Sequence, residues 1–235
     1  MNHTHSDADP YAYMAELPDG LTDAEKADFG QQLKARLLEL ENFHGDALAR
    51  ARLQLDVAEL LVLLERKPEA WQLAKAAFDI ALQSESWQDA VEACNVLYQC
   101  EQPESIAVLG MGVWLAVTFP VAPELTFAML DHVISETPPH SDGAALAAVT
   151  IRYVIDLRAD DEKHGDWSLL ANNLIARVAE RHSKVQSQQA LDRWMDELGL
   201  RDPQVFLPRL GQVVSAIVGD AWWFDRDALR DRLPD

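Results

Sequence analysis

Positions 33, 37, 40, 44, 48, 51, 55, 58 and 62 carry Leu, Leu, Leu, His, Leu, Ala, Leu, Ala and Val, with steps of three and four throughout. That period is one face of an amphipathic α-helix. Gly45 followed by Asp46 reads as a stop and a new N-cap, so the stripe predicts two helices of about twenty residues rather than one long one. Upstream, Thr22 and Glu25 stand at capping-box spacing, which predicts the start of the first helix. Residues 1–20 are rich in acids and breakers (Pro10, Pro18, Gly20) and read as a flexible arm. Tyr11, Tyr13, Met14 and Leu17 in that arm form an apolar cluster suited to packing on the domain or docking on a partner.

Punctuation sets the remaining elements. Pro68 opens a helix to about Gln83, Ser86 one to about Glu101, and Pro103 one to about Thr118. Pro123 begins another that ends before "TPPHSDG", and Ser141 with Asp142 starts a helix to about Arg158. "ADDEKHGD" reads as an exposed loop before a helix that Asp166 caps and that runs to about His182. A helix from about Lys184 stops at Gly199, Asp202 with Pro203 opens one that Gly219 stops, and Asp225 caps a short last helix. Val and Ile never alternate with polar residues over a strand's length. The fold class is therefore all-α, with ten to eleven helices stacked as antiparallel hairpins. Residues 21–235 read as one domain, with a possible subdivision near 137–143.

"EAWQLAKAAFDIALQ" (69–83) and "ESWQDAVEACNVLYQ" (85–99) align at a sixteen-residue shift, Trp71 on Trp87, Ala74 on Ala90 and Ala77 on Ala93. On one unbroken helix that shift is a rotation of about 160°, which would set the copies facing opposite ways. A break at 84–86 lets both present Trp and Ala on one face. The pair then resembles the helical hairpin of tetratricopeptide repeats, whose unit is 34 residues. It departs from that pattern at Phe78, which stands where the family has a small residue, so the resemblance is one of geometry. It implies a scaffold that binds partners.

One stretch has no polar face. "SIAVLGMGVWLAVTFPVAP" (105–123) is uncharged, but its glycines and prolines and the absence of flanking basic residues favour a buried central helix over a membrane span. Protein should then surround it on all sides, with Gly110 and Gly112 letting a neighbour approach.

Charge narrows the function. Thirty-nine acidic against twenty basic residues give −19. Nucleic acid and anionic membrane surfaces are poor partners for such a chain. Between Glu69 and Val149 there are eleven carboxylates and a single basic residue, Lys75. That block predicts steering of a basic protein partner, with Glu85, Asp89, Glu92, Glu101 and Glu104 as contact candidates on helix surfaces or ends. Cys94 and Cys100 sit about 120° apart and ~9 Å along one helix, too far for a disulfide, and predict reduced thiols in a cytoplasmic protein. "MNHTHSDADP" is acidic and lacks the apolar core of a secretory signal.

Catalytic signatures are sparse. Glu41 and His44 make a Glu-x-x-His step of the kind that binds a di-metal centre, though its partner step, Asp161 to His164, has the wrong acid. His132 beside Asp131 suits acid–base work but lacks a nucleophile. Met1 to His3 has the donors for a copper or nickel chelate. No cofactor is implied. The C-terminal "GDAWWFDRDALRDRLPD" places Trp222, Trp223 and Phe224 beside Arg226, the composition of a binding anchor or of a cover over the core. The reading that joins these features is a protein-binding scaffold: an adaptor, assembly factor or dedicated chaperone. The alternative is an enzyme or metal-binding bundle using Glu41, His44 and His132.

Overall fold

A computed structural model describes residues 21–232; Tyr11, Tyr13 and the Met1–His3 chelate lie outside the described residues. Among the described residues there are eleven helices and no strand: α1 Asp23–Glu41, α2 Ala47–Leu63, α3 Lys67–Gln83, α4 Trp87–Gln99, α5 Ser105–Thr118, α6 Pro123–Glu136, α7 Asp142–Arg158, α8 Asp161–Ser183, α9 Gln188–Glu197, α10 Pro203–Val218 and α11 Arg226–Arg230. Each helix from α1 to α8 packs on its successor. Further contacts of α2 with α4 and of α4 with α6 make the even helices one layer, and α10 lies across α5 and α7 of the other.

Local chemistry sets most boundaries. Thr22 and Glu25 form the reciprocal capping box, Asp46 caps α2, and Asp202 caps α10 ahead of its N1 proline. The link at 84–86 separates α3 from α4, so the repeat is a hairpin with Ala74, Ala77, Ala90 and Ala93 fully buried. Ser86 does not cap α4 with its side chain; its hydroxyl donates to Asp89 instead. Glu65, Glu85 and Glu101 close three helix ends with left-handed backbones (φ 58°, 54° and 51°). Each such residue costs about 1 kcal/mol relative to glycine. After α2 and α3, six-to-one bonds from Arg66 N–H to Leu61 C=O and from Ser86 N–H to Ala81 C=O complete the turn.

Two expectations need correction. The "ADDEKHGD" run is not a loop: α8 starts at Asp161, where two carboxylates in its first turn suit the helix dipole. The stripe from 33 to 62 does not continue across the α1–α2 break, because Leu37 is 39% exposed and His44 is exposed in the link.

α5 is the uncharged helix, and its two glycines are points of close approach. A Cβ on Gly110 would sit 2.6 Å from Val218 Cγ2 and 3.0 Å from Ile217 Cγ2 of α10. One on Gly112 would sit 2.6 Å from Cys94 Cβ of α4 and 2.4 Å from Met129 Cε of α6. The end of α5 is closed from a distance: Arg158 donates to the carbonyls of Ala116, Val117 and Val121. This puts a cation on the negative end of the helix dipole.

The C-terminal aromatics finish the cover. Trp223 meets Phe78 (5.4 Å between centroids) and Trp71 (6.2 Å), while Phe224 meets Trp114 (5.6 Å) and Phe78 (6.3 Å). Trp222 reaches Trp114, Trp114 meets Phe119, and Phe119 stacks on Trp87 at 3.8 Å. Eight rings from α3, α4, α5 and the C-terminal segment thus join in one network, with Lys75 over Trp223 and Arg226 over Trp222. Most of these pairs are edge-on or tilted, the arrangements worth ~0.5–1.5 kcal/mol each beyond burial.

Three substitutions test this packing by chemical denaturation. Gly110→Leu should destabilise by ~1–3 kcal/mol through overpacking against α10. Gly30→Ala, in α1 where an added Cβ meets nothing within 4 Å, should stabilise by ~0.5–1 kcal/mol. Arg158→Met should cost about 2–4 kcal/mol by leaving the α5 carbonyls without their donor.

Candidate functional site

The C-terminal ends of α2, α4 and α6, with the start of α1, surround a groove of about 980 Å³. Part of its lining is apolar. Val62 and Leu63 come from α2 and Ile106 from the first turn of α5. Ile106 is 43% exposed, although it belongs to the one helix without a polar face. Helix contacts run from α1 to α2, α2 to α4 and α4 to α6, so Lys26 of α1 lies toward one end of the groove and Glu136 of α6 toward the other. Lys67, also in the lining, is occupied by Glu101 at 2.9 Å and Glu65 at 3.4 Å. Lys26 and Glu136 have no ion pair among the described residues.

The Glu136 end is an ordered polar cluster. Tyr98 Oη donates to Glu136 Oε1 at 2.7 Å, and the Tyr98 ring lies 4.5 Å from that of His132. His132 Nε2 is 3.0 Å from Asn95 Oδ1 and donates to it, since an amide oxygen can only accept. Burial lowers the His132 pKa against the opposing pull of Glu136, so the ring is neutral near pH 7. Burial, the bond to Glu136 and the nearby carboxylates hold the Tyr98 phenol well above its usual range. Among the described residues, no cation pairs with the carboxylate that this cluster presents.

An acidic strip leads away from the groove. Glu59 stands three and four residues before Val62 and Leu63, and Glu92 stands three before Asn95, so helical spacing continues the groove along α2 and α4. Burial and the carboxylates of Asp56 and Glu92 push Glu59 up to about 7, although its side chain still reaches water. Burial likewise raises Glu92 and Asp56.

The five carboxylates expected to meet a partner divide in the structure. Asp89 is 5% exposed, so its place among surface candidates is corrected: Arg52 of α2 grips both oxygens at 3.0 Å, and Ser86 adds a third bond. Glu85 pairs with Arg232 at 2.9 Å, and Glu101 pairs with Lys67. Glu92 is half-buried on the strip, and Glu104 is exposed at the start of α5. Trp222, Trp223, Phe224 and Arg226 are all half-buried against their own domain; Arg226 also donates to Ser215 of α10.

Glu41 ends α1 while His44 lies in the following link, so the step does not lie on one helix. Among the described residues, no group of three or more His, Cys, Asp or Glu could hold a metal ion. Both cysteines are free and buried, and burial pushes the Cys100 thiol up to about 11, which makes it a poor nucleophile. One arrangement was not legible in the sequence: Asp156 bonds His164 at 2.9 Å, and His164 lies 3.4 Å from Ser168. Arg152 binds both Asp156 and Ser168, and Ser168 stands in the second turn of α8, where the backbone N–H groups serve the helix. The cluster ties α7 to α8.

No protein family, curated protein or solved structure matches the chain. Among the described residues, no helix is long and apolar enough to cross a membrane.

The raised Glu59 pKa has a signed consequence. Its folded value of about 7 lies above its ordinary 4.5, so the folded state holds the proton more tightly and this group's contribution falls as pH rises from about 4.5 through 7. Glu59→Gln should be more stable than the parent at pH 8 and match it below pH 5. Because water screens the site, the gain should stay under about 1 kcal/mol in thermal melts across that range.

Proposed function

We propose that this chain is a protein-binding helical scaffold, an adaptor, assembly factor or dedicated chaperone, and that the groove at the ends of α2, α4 and α6 is where a partner's segment docks. The observation that carries the reading is Ile106. An apolar helix covered elsewhere by its own domain offers one large side chain to water in a concave site, which is how peptide-binding grooves anchor a ligand. The adjoining carboxylates supply the second element. Asp56, Glu59 and Glu92 crowd one another, and a basic segment crossing them would relieve that repulsion and be steered toward the groove. Hairpin stacking supports the same reading, since such scaffolds present extended surfaces. Two reduced, buried thiols fit a reducing compartment such as the cytoplasm.

A photo-crosslinking residue at position 106 tests the site. It should capture a discrete protein adduct in the native cell, while the same residue at the exposed Leu169 of α8 should not. Equal capture at both positions, or none at 106, removes the groove from the account. With the captured partner purified, Glu59→Gln combined with Glu92→Gln should slow association about tenfold at low salt and by much less at 0.5 M salt, because screening shortens the reach of these charges. Dissociation should change little.

A further inference from the structure

Resting on the groove reading above, we propose that the Glu136 end of the groove is a cation subsite that takes a lysine or arginine side chain of the docked segment, with that segment's neighbouring apolar residue on Ile106. Three features of the site point to this chemistry. Glu136 has one oxygen engaged by the Tyr98 hydroxyl and the other free of hydrogen bonds among the described residues, so a donor can be received without breaking the existing bond. Every other carboxylate of the lining already has a cation: Glu65 and Glu101 share Lys67. The third feature is rigidity. Tyr98 is held between Glu136 and the His132 ring, and His132 is held by Asn95, so the carboxylate and the aromatic surface beside it are set before a ligand arrives.

The groove is also polarised. Lys26 stands toward the opposite end with no carboxylate partner among the described residues, and a basic side chain at that end would be repelled. A bound segment is therefore oriented: its basic residue at α6, its apolar residue over Val62, Leu63 and Ile106, and neutral or acidic positions toward α1. Charge at the two ends sets direction, while Val62, Leu63 and Ile106 supply apolar contact area.

The subsite is tested apart from any native partner with two small probes, acetyl-leucyl-arginine amide and its neutral isostere acetyl-leucyl-citrulline amide, titrated into the full chain and followed by NMR at Ile106 and Tyr98. The arginine probe should bind about three- to fivefold more tightly than the citrulline probe, the range of one partly exposed ion pair. Glu136→Gln should abolish that preference and leave citrulline binding unchanged, whereas Lys26→Gln should preserve it. Equal binding of the two probes, a preference that survives Glu136→Gln, or no saturable shift at Ile106 overturns the proposal. Crosslinking at 106 without an arginine preference removes the cation subsite alone; absence of crosslinking removes the docking site itself.

Discussion

A helix without a polar face has to be covered on every side, and the rest of this fold is arranged around that requirement. From Ser105 to Pro123 the chain has no charge, and α5 winds most of that stretch into the centre of the molecule. α4 and α6 approach on one side, with α4 and the Met129 side chain of α6 closing on Gly112. On the other side α10 closes on Gly110, and the Trp222–Phe224 segment bridges α5 to α3. A purely hairpin-by-hairpin stack would leave that second side open. The C-terminal segment therefore completes the core, which explains why its aromatic rings are half-buried against Phe78 and Trp114 and are not displayed. The same arrangement directs attention to the opposite end of the even layer, where Ile106 is the one large α5 side chain more than a third exposed.

Charge follows a parallel logic. The acidic block from Glu69 to Val149 looks uncompensated along the chain, yet basic residues from outside it reach back in space. Arg52 holds Asp89, Arg66 holds Glu69, Lys67 holds Glu101, Arg209 holds Asp142, and Arg232 holds Glu85. Among the described residues, Glu92, Glu104, Glu124, Asp131 and Glu136 of the block make no ion pair; Glu92 and Glu136 lie on the strip and groove, joined there by Glu59 from α2. Apart from the pair that holds the buried Asp89, these bridges are exposed pairs that add little stability each, but they shape where the field of a chain at −19 emerges. The strip and groove of the even helices are one place where such unpaired carboxylates gather.

Helix ends were legible because their chemistry is local. Thr22 with Glu25, Asp46, Pro123, Asp202 with Pro203, Gly219 and Asp225 each act within one turn, and the structure places boundaries at all of them. The first turn of α8 was not legible, since a run such as Asp161–Glu162–Lys163 suits a solvated loop and an exposed helix start equally well. Nor was the site. Arg52 with Asp89, Tyr98 with Glu136 and Asn95 with His132 are separated by 37 or 38 residues, and no periodicity in a single chain links such positions. His132 stood out in the sequence for its neighbour Asp131, whereas its structural partners are Asn95 and Tyr98. Ile106 looked like one more core residue of an apolar run, and only the packing of α1, α2, α4 and α6 leaves it in view.

Native-state hydrogen exchange tests the central claim most directly, because it assigns an opening free energy to each helix. If α10 and the aromatic segment are a required cover for α5, amides of Val108–Leu115 and of Leu210–Val218 should exchange through one shared opening, with the same free energy and the same denaturant dependence. Exchange of α10 at a much lower free energy, with α5 still protected up to the global value, would show that α5 is sufficiently covered without it and would contradict the account.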